Sequence, residues 1–376
     1  MAPISNPVDR RFVLGALTGL AVGSSVSAAP APGGPDLSRG VNLSHWFAQS
    51  FEGYGQDHLD RFVTREDVRR IAAAGFSHVR LGFEPDIVFG HGSKPALNEP
   101  VVAQLADAIA MIMAERLCVV LDMHPVGASK DRYLTPEGAD RLVANWALLA
   151  RRLASLDTDR VAFEILNEPE PLRGDVWWQL QSRAVAAIRT ADRLRTIIVN
   201  PGGWSGVDDL LGHIPYKQDR LVYTVHHYAP LLFTHQGADW TWDVAKRVAA
   251  LDWPIAPDAA DQASKAATSL DSDRVTLRDQ IAHDLFTPEA LAQQFDHLAT
   301  WSERHGKLPI YVGEFGVYVK AAPRQARLRW LAASRDAFER HGWGWAIWDN
   351  SRDFGFITAG GAIDQPTLQA LRLERA

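Results

Sequence analysis

Apolar positions along this chain follow two alternating patterns. Short runs rich in Val, Ile and aromatic residues begin near Gly40, His78, Leu117, Val161, Thr196, Leu221, Pro309 and Gly344. Between most of them, apolar residues recur at helical spacing over 65–74, 101–116, 141–153, 176–191, 288–305 and 324–341. The short runs are almost continuously apolar, as in parallel strands covered on both faces. Strand alternating with helix predicts parallel β/α units, and eight such units predict an α/β chain closed into a (β/α)8 TIM barrel, a single domain. No Gly-rich phosphate loop follows the first strand, which disfavours a nucleotide-binding fold, and no repeat of fixed period stands out.

One segment breaks the rhythm. From Ala229 to about Thr287 the chain reads as a long and largely irregular insertion after the sixth strand, carrying Trp240, Trp242, Trp253, Pro254 and Pro257. Connections of this length are usually functional, and in a barrel this one would lie on the C-terminal face, above the active site.

The N-terminus carries a different signal. Arg10-Arg11 precede Phe12-Val13-Leu14, a mildly apolar stretch to Gly23, and the small residues Val26-Ser27-Ala28. This is similar to a twin-arginine export signal over residues 1–28, with a flexible leader over 29–36 and the folded domain over 37–376. It implies an exported protein, periplasmic or extracellular. No other segment is long and apolar enough to span a membrane, so no membrane anchor is expected.

Composition narrows the function. The formal charge of −6 argues against a nucleic-acid partner, which would need clustered Lys and Arg. Thirteen Trp in 376 residues is high. Exposed indoles offer flat faces on which sugar rings pack, although at least half of these residues are expected in the core. The lone Cys118 lies in the apolar run Leu117–Leu121 and reads as a buried, inert thiol.

The chemistry is concentrated where strands end. Those ends read Val79-Arg80-Leu81-Gly82, Leu121-Asp122-Met123-His124, Leu166-Asn167-Glu168-Pro169, Val225-His226-His227-Tyr228, Gly313-Glu314-Phe315-Gly316 and Ile347-Trp348-Asp349-Asn350. A charged group beside a buried strand costs free energy unless it has partners, so six polar strand ends are hard to explain as packing. Glu168 and Glu314, on the fourth and seventh strands, can point into one cup and supply the carboxylate pair that glycoside hydrolysis needs. The small neighbours of Glu314 are read as leaving room for a ligand. Glu164 reads as a deeper structural group, while Glu84, Asp86, Asp349 and Asp353 rank well below the pair.

On Arg80, His124, Asn167-Glu168-Pro169, His226 with Tyr228, Gly313-Glu314-Phe315-Gly316 and Trp348, the chain resembles the cellulases of glycoside hydrolase family 5. The resemblance runs from about Leu37 to Glu374. It implies a retaining endo-β-1,4-glucanase, needing no cofactor or metal and acting as a monomer on a polysaccharide, with Glu168 as acid/base and Glu314 as nucleophile. Arg80 would keep the nucleophile ionised and Tyr228 would donate to it. The charge of Glu314 would raise the pKa of Glu168. Asn167 would bond a sugar 2-hydroxyl, and His124 and His226 would position hydroxyls or the acid. Trp348 would form the sugar floor, with Trp46, Trp204 and His45 as further substrate contacts.

Three alternatives stay open at this level. The substrate could be another β-glycan, such as mannan, xyloglucan or a β-1,3-glucan, attacked internally or, if the insertion walls off the cleft, from an end. His124, His226, His227 and the two Glu could form the ligand set of a metal-dependent hydrolase, although no His-x-His pair or His-Glu-x-x-His helix is present. A binding module that has lost catalysis should lack one glutamate, and both are here.

Overall fold

The computed structural model describes residues 33–373, apart from 91, 93, 171 and 359. The proposed export signal and the first half of the leader lie outside the described residues. Eight parallel strands close into a barrel in sequence order: β1 (Arg39–Phe47), β2 (His78–Phe83), β3 (Cys118–Met123), β4 (Val161–Glu164), β5 (Thr196–Val199), β6 (Leu221–His227), β7 (Ile310–Phe315) and β8 (Gly344–Ile347), with β8 pairing back on β1. The predicted (β/α)8 barrel is therefore the observed fold.

Helices follow the strands in turn: α1 (Arg65–Ala73), α2 (Glu99–Ala114), α3 (Pro136–Arg152), α4 (Gly174–Ala191), α5 (Val207–Leu211), α6 (Pro288–Arg304), α7 (Arg324–Glu339) and α8 (Gln365–Ala370). Their starts are written locally. Thr64 and Asp67 form a reciprocal capping box on α1. Thr135 and Thr287 cap α3 and α6 by accepting from the N–H groups of Gly138 and Ala290, each with Pro at the first helical position. The expected start of α3 at Arg141 was thus late: the Thr-Pro-Glu cap at 135–137 begins the helix before its apolar stripe does.

Within the barrel, side chains alternate between outside and inside. Outward residues such as Val119, Phe163 and Ile197 join the large core between strands and helices. Inward, Val120, Ala162, Ile198, Val222, Tyr311 and Ala346 form a separate apolar plug. One step further along β2, β3 and β4 the inward positions become Arg80, Asp122 and Glu164, all buried. The plug closes the barrel floor, so the polar residues above it face a cup open only at the C-terminal end of the strands.

Most Trp belong to the core. Trp146, Trp177, Trp253, Trp330 and Trp345 are fully buried. Trp146 donates to the Ile165 carbonyl and Trp330 to the Ala229 carbonyl, which satisfies their indole N–H groups while they pin strand ends to helices.

The segment 229–287 departs from the expectation of irregular chain. It contains helices at Leu231–Thr234, Asp243–Arg247, Ala260–Ala267 and Asp271–His283. Its first part is tied to the loops above β7: Tyr318 N–H donates to the Thr234 carbonyl and Ala250 N–H to the Ala321 carbonyl. Its last two helices pack on each other, and Arg247 pairs with Asp273 to hold them to the first part. The Pro and Trp residues that suggested irregular chain sit at the joints between these short helices.

Candidate active site

Arg80 organises the floor of the cup. Its side chain is 1% exposed, and every N–H has a partner. Nε and one terminal nitrogen grip both oxygens of Glu164 at 2.8 and 2.9 Å, and that second nitrogen also reaches Asn167 Oδ1 at 2.9 Å and Asp122 at 3.0 Å. The other terminal nitrogen donates to Asn42 Oδ1 at 2.9 Å and Glu314 Oε1 at 2.8 Å. Three carboxylates around one guanidinium are more negative charge than it neutralises. Burial, opposed by Arg80, leaves the Glu164 carboxyl above its usual value and pushes Asp122 up to about 7. Glu164 is thus the deep structural group expected. Asn42 and Asp122 were not picked out as site residues, although Asp122 and His124 share one face of β3 by period two.

Glu314 owes its direction to a shift in register. Tyr311 and Gly313 face inward on β7, so strict alternation would turn Glu314 outward. The pairings of β7 with both β6 and β8 slip next to this residue, and Glu314 then pairs with His226 inside the cup. Its carboxylate accepts from Arg80 on one oxygen and from the Tyr228 hydroxyl at 2.9 Å on the other. Burial and the charge of Glu314 push the Tyr228 phenol well above its ordinary value, so it stays a donor. The flanking glycines do not make room for a ligand, as the sequence suggested. A Cβ on Gly313 would lie 2.8 Å from Thr224 Oγ1, and one on Gly316 would lie 2.4 Å from the Trp348 carbonyl oxygen. They let β6 and the Trp348 peptide approach.

Glu168 stands on the loop after β4 with φ of +38°, a left-handed conformation that costs a non-glycine residue about 1–2 kcal/mol. His226 Nδ1 lies 2.8 Å from its Oε1 and 3.6 Å from Glu314 Oε2. Burial raises the pKa of Glu168, but the hydrogen bond and charge of His226, with Lys130 and His124, outweigh it and hold the carboxyl below its ordinary value. For His226 burial lowers the pKa, and Glu314 and Glu168 outweigh that and raise it. The upward shift of Glu168 expected from Glu314 is therefore outweighed by the His226 imidazole, which lies between the two carboxylates.

His124 Nδ1 lies 2.7 Å from Asp122 Oδ2, and its Nε2 is 3.2 Å from the Asn167 amide nitrogen. Burial pushes its pKa down to about 3, so the ring is neutral. Asp122 accepts from Nδ1–H, which leaves Nε2 as the acceptor for Asn167. Asn167 is thereby held at both ends, by Arg80 and by His124. Trp348 stacks over His124 with ring centroids 5.7 Å apart and remains partly exposed.

The other aromatic candidates divide. Trp204, after β5, is 55% exposed with Lys130 Nζ 5.9 Å from its ring centre. Trp46 is only 3% exposed, and its indole N–H donates to the Leu59 carbonyl. It is a core residue and offers no face to a sugar. His45 has φ of +63°, binds the Gln49 carbonyl through Nδ1 and stacks on the exposed Phe51, so its ring is engaged within its own loop. Asp349 is buried and hydrogen-bonded to Ser44, and Asp353 pairs with Lys320. A wall the sequence did not reveal runs from Tyr228 through His235 and Phe354 to Trp240, which is 56% exposed on the insertion.

The metal-ligand set is not assembled as a set. His227 faces out of the barrel, stacked on Trp330 at 5.0 Å, and His124 is committed to Asp122 and Asn167. Among the described residues, only Glu168, His226 and Glu314 bring donor atoms together, all within 4.8 Å of one another. Both Glu314 oxygens already accept from Arg80 and Tyr228, and His226 Nδ1 is engaged with Glu168, so these groups do not suit a divalent ion.

The family model for cellulase (glycosyl hydrolase family 5) matches residues 38–354, which include every residue of this cup. The chain belongs to glycosyl hydrolase family 5. This family 5 glycoside hydrolase is 26% identical to Endoglucanase C of Acetivibrio thermocellus over 317 residues, covering 82% of this chain and 90% of the relative. It is also 26% identical to Cellodextrinase A of Ruminococcus flavefaciens, over 81% of this chain and 83% of that one. Among solved structures it resembles endoglucanase Cel5A of Thermotoga maritima, with a TM-score of 0.74 and 26% identity across 89% of this chain and 97% of that one. No helix among the described residues is long and apolar enough to cross a membrane.

Proposed function

We propose that this family 5 enzyme is an exported endo-β-1,4-glucanase that retains anomeric configuration, with Glu314 as nucleophile and Glu168 as acid/base. The observation that carries the reading is the convergence of Glu168, His226 and Glu314 donor atoms within 4.8 Å. Retaining pairs need carboxyl groups about 5–5.5 Å apart, whereas an inverting pair needs about 6.5–9.5 Å to admit a water. Arg80 and Tyr228 aim Glu314 at the anomeric carbon. Glu168 receives the proton resting on His226 and passes it to the leaving oxygen as the C–O bond breaks and the glycosyl–Glu314 ester forms. Ionised Glu168 then takes a proton from the water that cleaves the ester, which restores the pair. The Asn167 amide, fixed by Arg80 and His124, is placed to bond the sugar 2-hydroxyl, and Trp348 supports the ring.

The names of the relatives support β-1,4-glucan as substrate. The deciding experiment offers the purified enzyme carboxymethyl-cellulose, mixed-linkage glucan, mannan, xylan and β-1,3-glucan and follows reducing ends with product sizes. A ladder from carboxymethyl-cellulose is expected. A single short product released from chain ends would replace the endo reading with an exo one, which the insertion-borne Trp240 wall would favour. Export rests on the Arg10-Arg11 signal and is tested by fractionating cells that carry Arg10→Lys with Arg11→Lys: retention in the cytoplasm is expected.

A further inference from the structure

Lys130 was not among the residues that the sequence singled out, yet its ammonium reaches into the cup. It lies between two short turns, Gly127–Ser129 and Asp131–Leu134, on the loop after β3. The loop is anchored on either side of the barrel wall: Arg132 pairs with Asp86 above β2, and the buried Tyr133 packs into the core with its hydroxyl toward Met123. From this fixed base Lys130 Nζ donates to the Glu168 carbonyl oxygen at 2.8 Å and sits 5.9 Å from the Trp204 ring centre. Among the described residues it has no carboxylate partner. Its cation is therefore spent on one backbone carbonyl and one exposed indole face, both on the Glu168 side of the cup.

That carbonyl belongs to the one residue of the carboxylate pair with a left-handed backbone. Glu168 at φ +38° directs its side chain to His226, and its carbonyl accepts from Lys130 and from the Glu170 N–H at 2.6 Å. A backbone in this region persists only where its surroundings over-determine it. Lys130 supplies one of the two bonds that do so, together with a positive charge close to the carboxyl.

We propose that Lys130 is a positioning residue for proton transfer: it locks the left-handed turn of Glu168 through its carbonyl and sets a fixed cation on the leaving-group side, beside the Trp204 face. The proposal rests on the reading of Glu168 as acid/base. Its physical content is that a nearby cation stabilises the carboxylate left behind when the proton departs, which makes Glu168 a stronger acid toward poor leaving groups. The other groups facing Glu168 are His226 from β6, Glu314 from β7, Tyr228 and His235 beyond β6, and His124 from β3. Beside these groups, Lys130 is the cation whose hydrogen bond goes to the Glu168 backbone and not to a carboxylate.

The test compares wild type, Lys130→Met, Lys130→Arg, Glu168→Ala and the Glu168→Ala/Lys130→Met double variant on aryl β-cellobiosides of graded leaving-group acidity. Lys130→Met should lose about tenfold in kcat/KM on the poorest leaving group, the scale of one charge-assisted hydrogen bond, and little on the most activated one. Its basic pH limb should move to higher pH, because the hydrogen-bonded Glu168–His226 pair loses a nearby cation that disfavours holding the proton. Lys130→Arg should restore both, and Lys130→Met should add nothing in the Glu168→Ala background. A folded Lys130→Met enzyme with wild-type leaving-group dependence and pH profile, or a loss that persists undiminished without Glu168, overturns the proposal. If Glu168→Ala alone costs the same on every leaving group, the acid/base reading falls first, and this proposal with it.

Discussion

His226 Nδ1 lies 2.8 Å from Glu168 and 3.6 Å from Glu314, so a single imidazole stands between the two carboxylates. Its folded pKa is raised and that of Glu168 is lowered. The His226 contribution to stability is fully present below its ordinary value near 6.5 and is lost as pH rises through the raised folded value. The Glu168 contribution is present above its ordinary value near 4.5 and is lost as pH falls through the lowered folded value. The melting-temperature gap between wild type and His226→Gln should therefore be widest between these two ordinary values and narrow on either side. Thermal unfolding across pH checks this, and a constant gap would mean that no ion pair forms.

Glu314→Ala should reduce turnover by at least about 10³-fold, since it removes the proposed nucleophile. The fold should survive, because Arg80 keeps Glu164 and Asp122 as partners. Circular dichroism and the melting temperature report the second point, and a loss of less than tenfold in activity would remove Glu314 from the nucleophile role.

Glu168→Ala should separate substrates by leaving group. Hydrolysis of glucan should collapse, whereas aryl glycosides with good leaving groups, which need no protonation, should retain most of their glycosylation rate. Pre-steady-state release of the aryl group measures this directly.

Arg80→Met should destabilise the barrel by about 3–5 kcal/mol, the usual cost of stranding buried partners of an ion pair. Arg80→Lys should not rescue it, because three N–H groups on one nitrogen cannot reproduce the fork that serves Glu164, Asn42, Asn167 and Glu314. Denaturant unfolding gives the number for both.

Two tryptophans that look equivalent in sequence should behave oppositely. Trp46→Ala should cost about 3–5 kcal/mol of stability as a core deletion, with KM for glucan little changed. Trp204→Ala should leave stability within about 0.5 kcal/mol and raise KM for polymer, since the ring is exposed on the surface beside the Lys130 ammonium. Unfolding and steady-state kinetics on the pair discriminate core from platform.

Much of this was legible along the chain. Eight continuous apolar runs alternating with amphipathic stretches fix the barrel, because strands covered on both faces leave no polar alternation and each needs a helix to cover it. Polar residues at six strand ends located the cup, since charges at the end of buried strands need partners and a barrel brings those ends together. The insertion was legible in extent but not in form, because none of its four α-helices has a side-chain cap to announce it.

Tertiary structure decided what local pattern cannot carry. Period two places Glu314 outside the barrel, and only a slip in pairing with β6 and β8 turns it in. Trp46 lies within β1, which extends further than the sequence suggested and carries the ring into the core, whereas Trp204 sits on an exposed turn after β5. Glu168 was expected to be raised by its partner carboxylate, and His226, 58 residues away in sequence, reverses the sign because electrostatics acts through space. Lys130 carried no signal at all, since its partner is a backbone carbonyl, a group every residue has. The sequence by itself determined the barrel and put both glutamates at strand ends, because the apolar runs that mark the strands are a local property of the chain. Register, electrostatic sign and the partners of each charge depend on which strand ends meet, and that is settled only when the barrel closes.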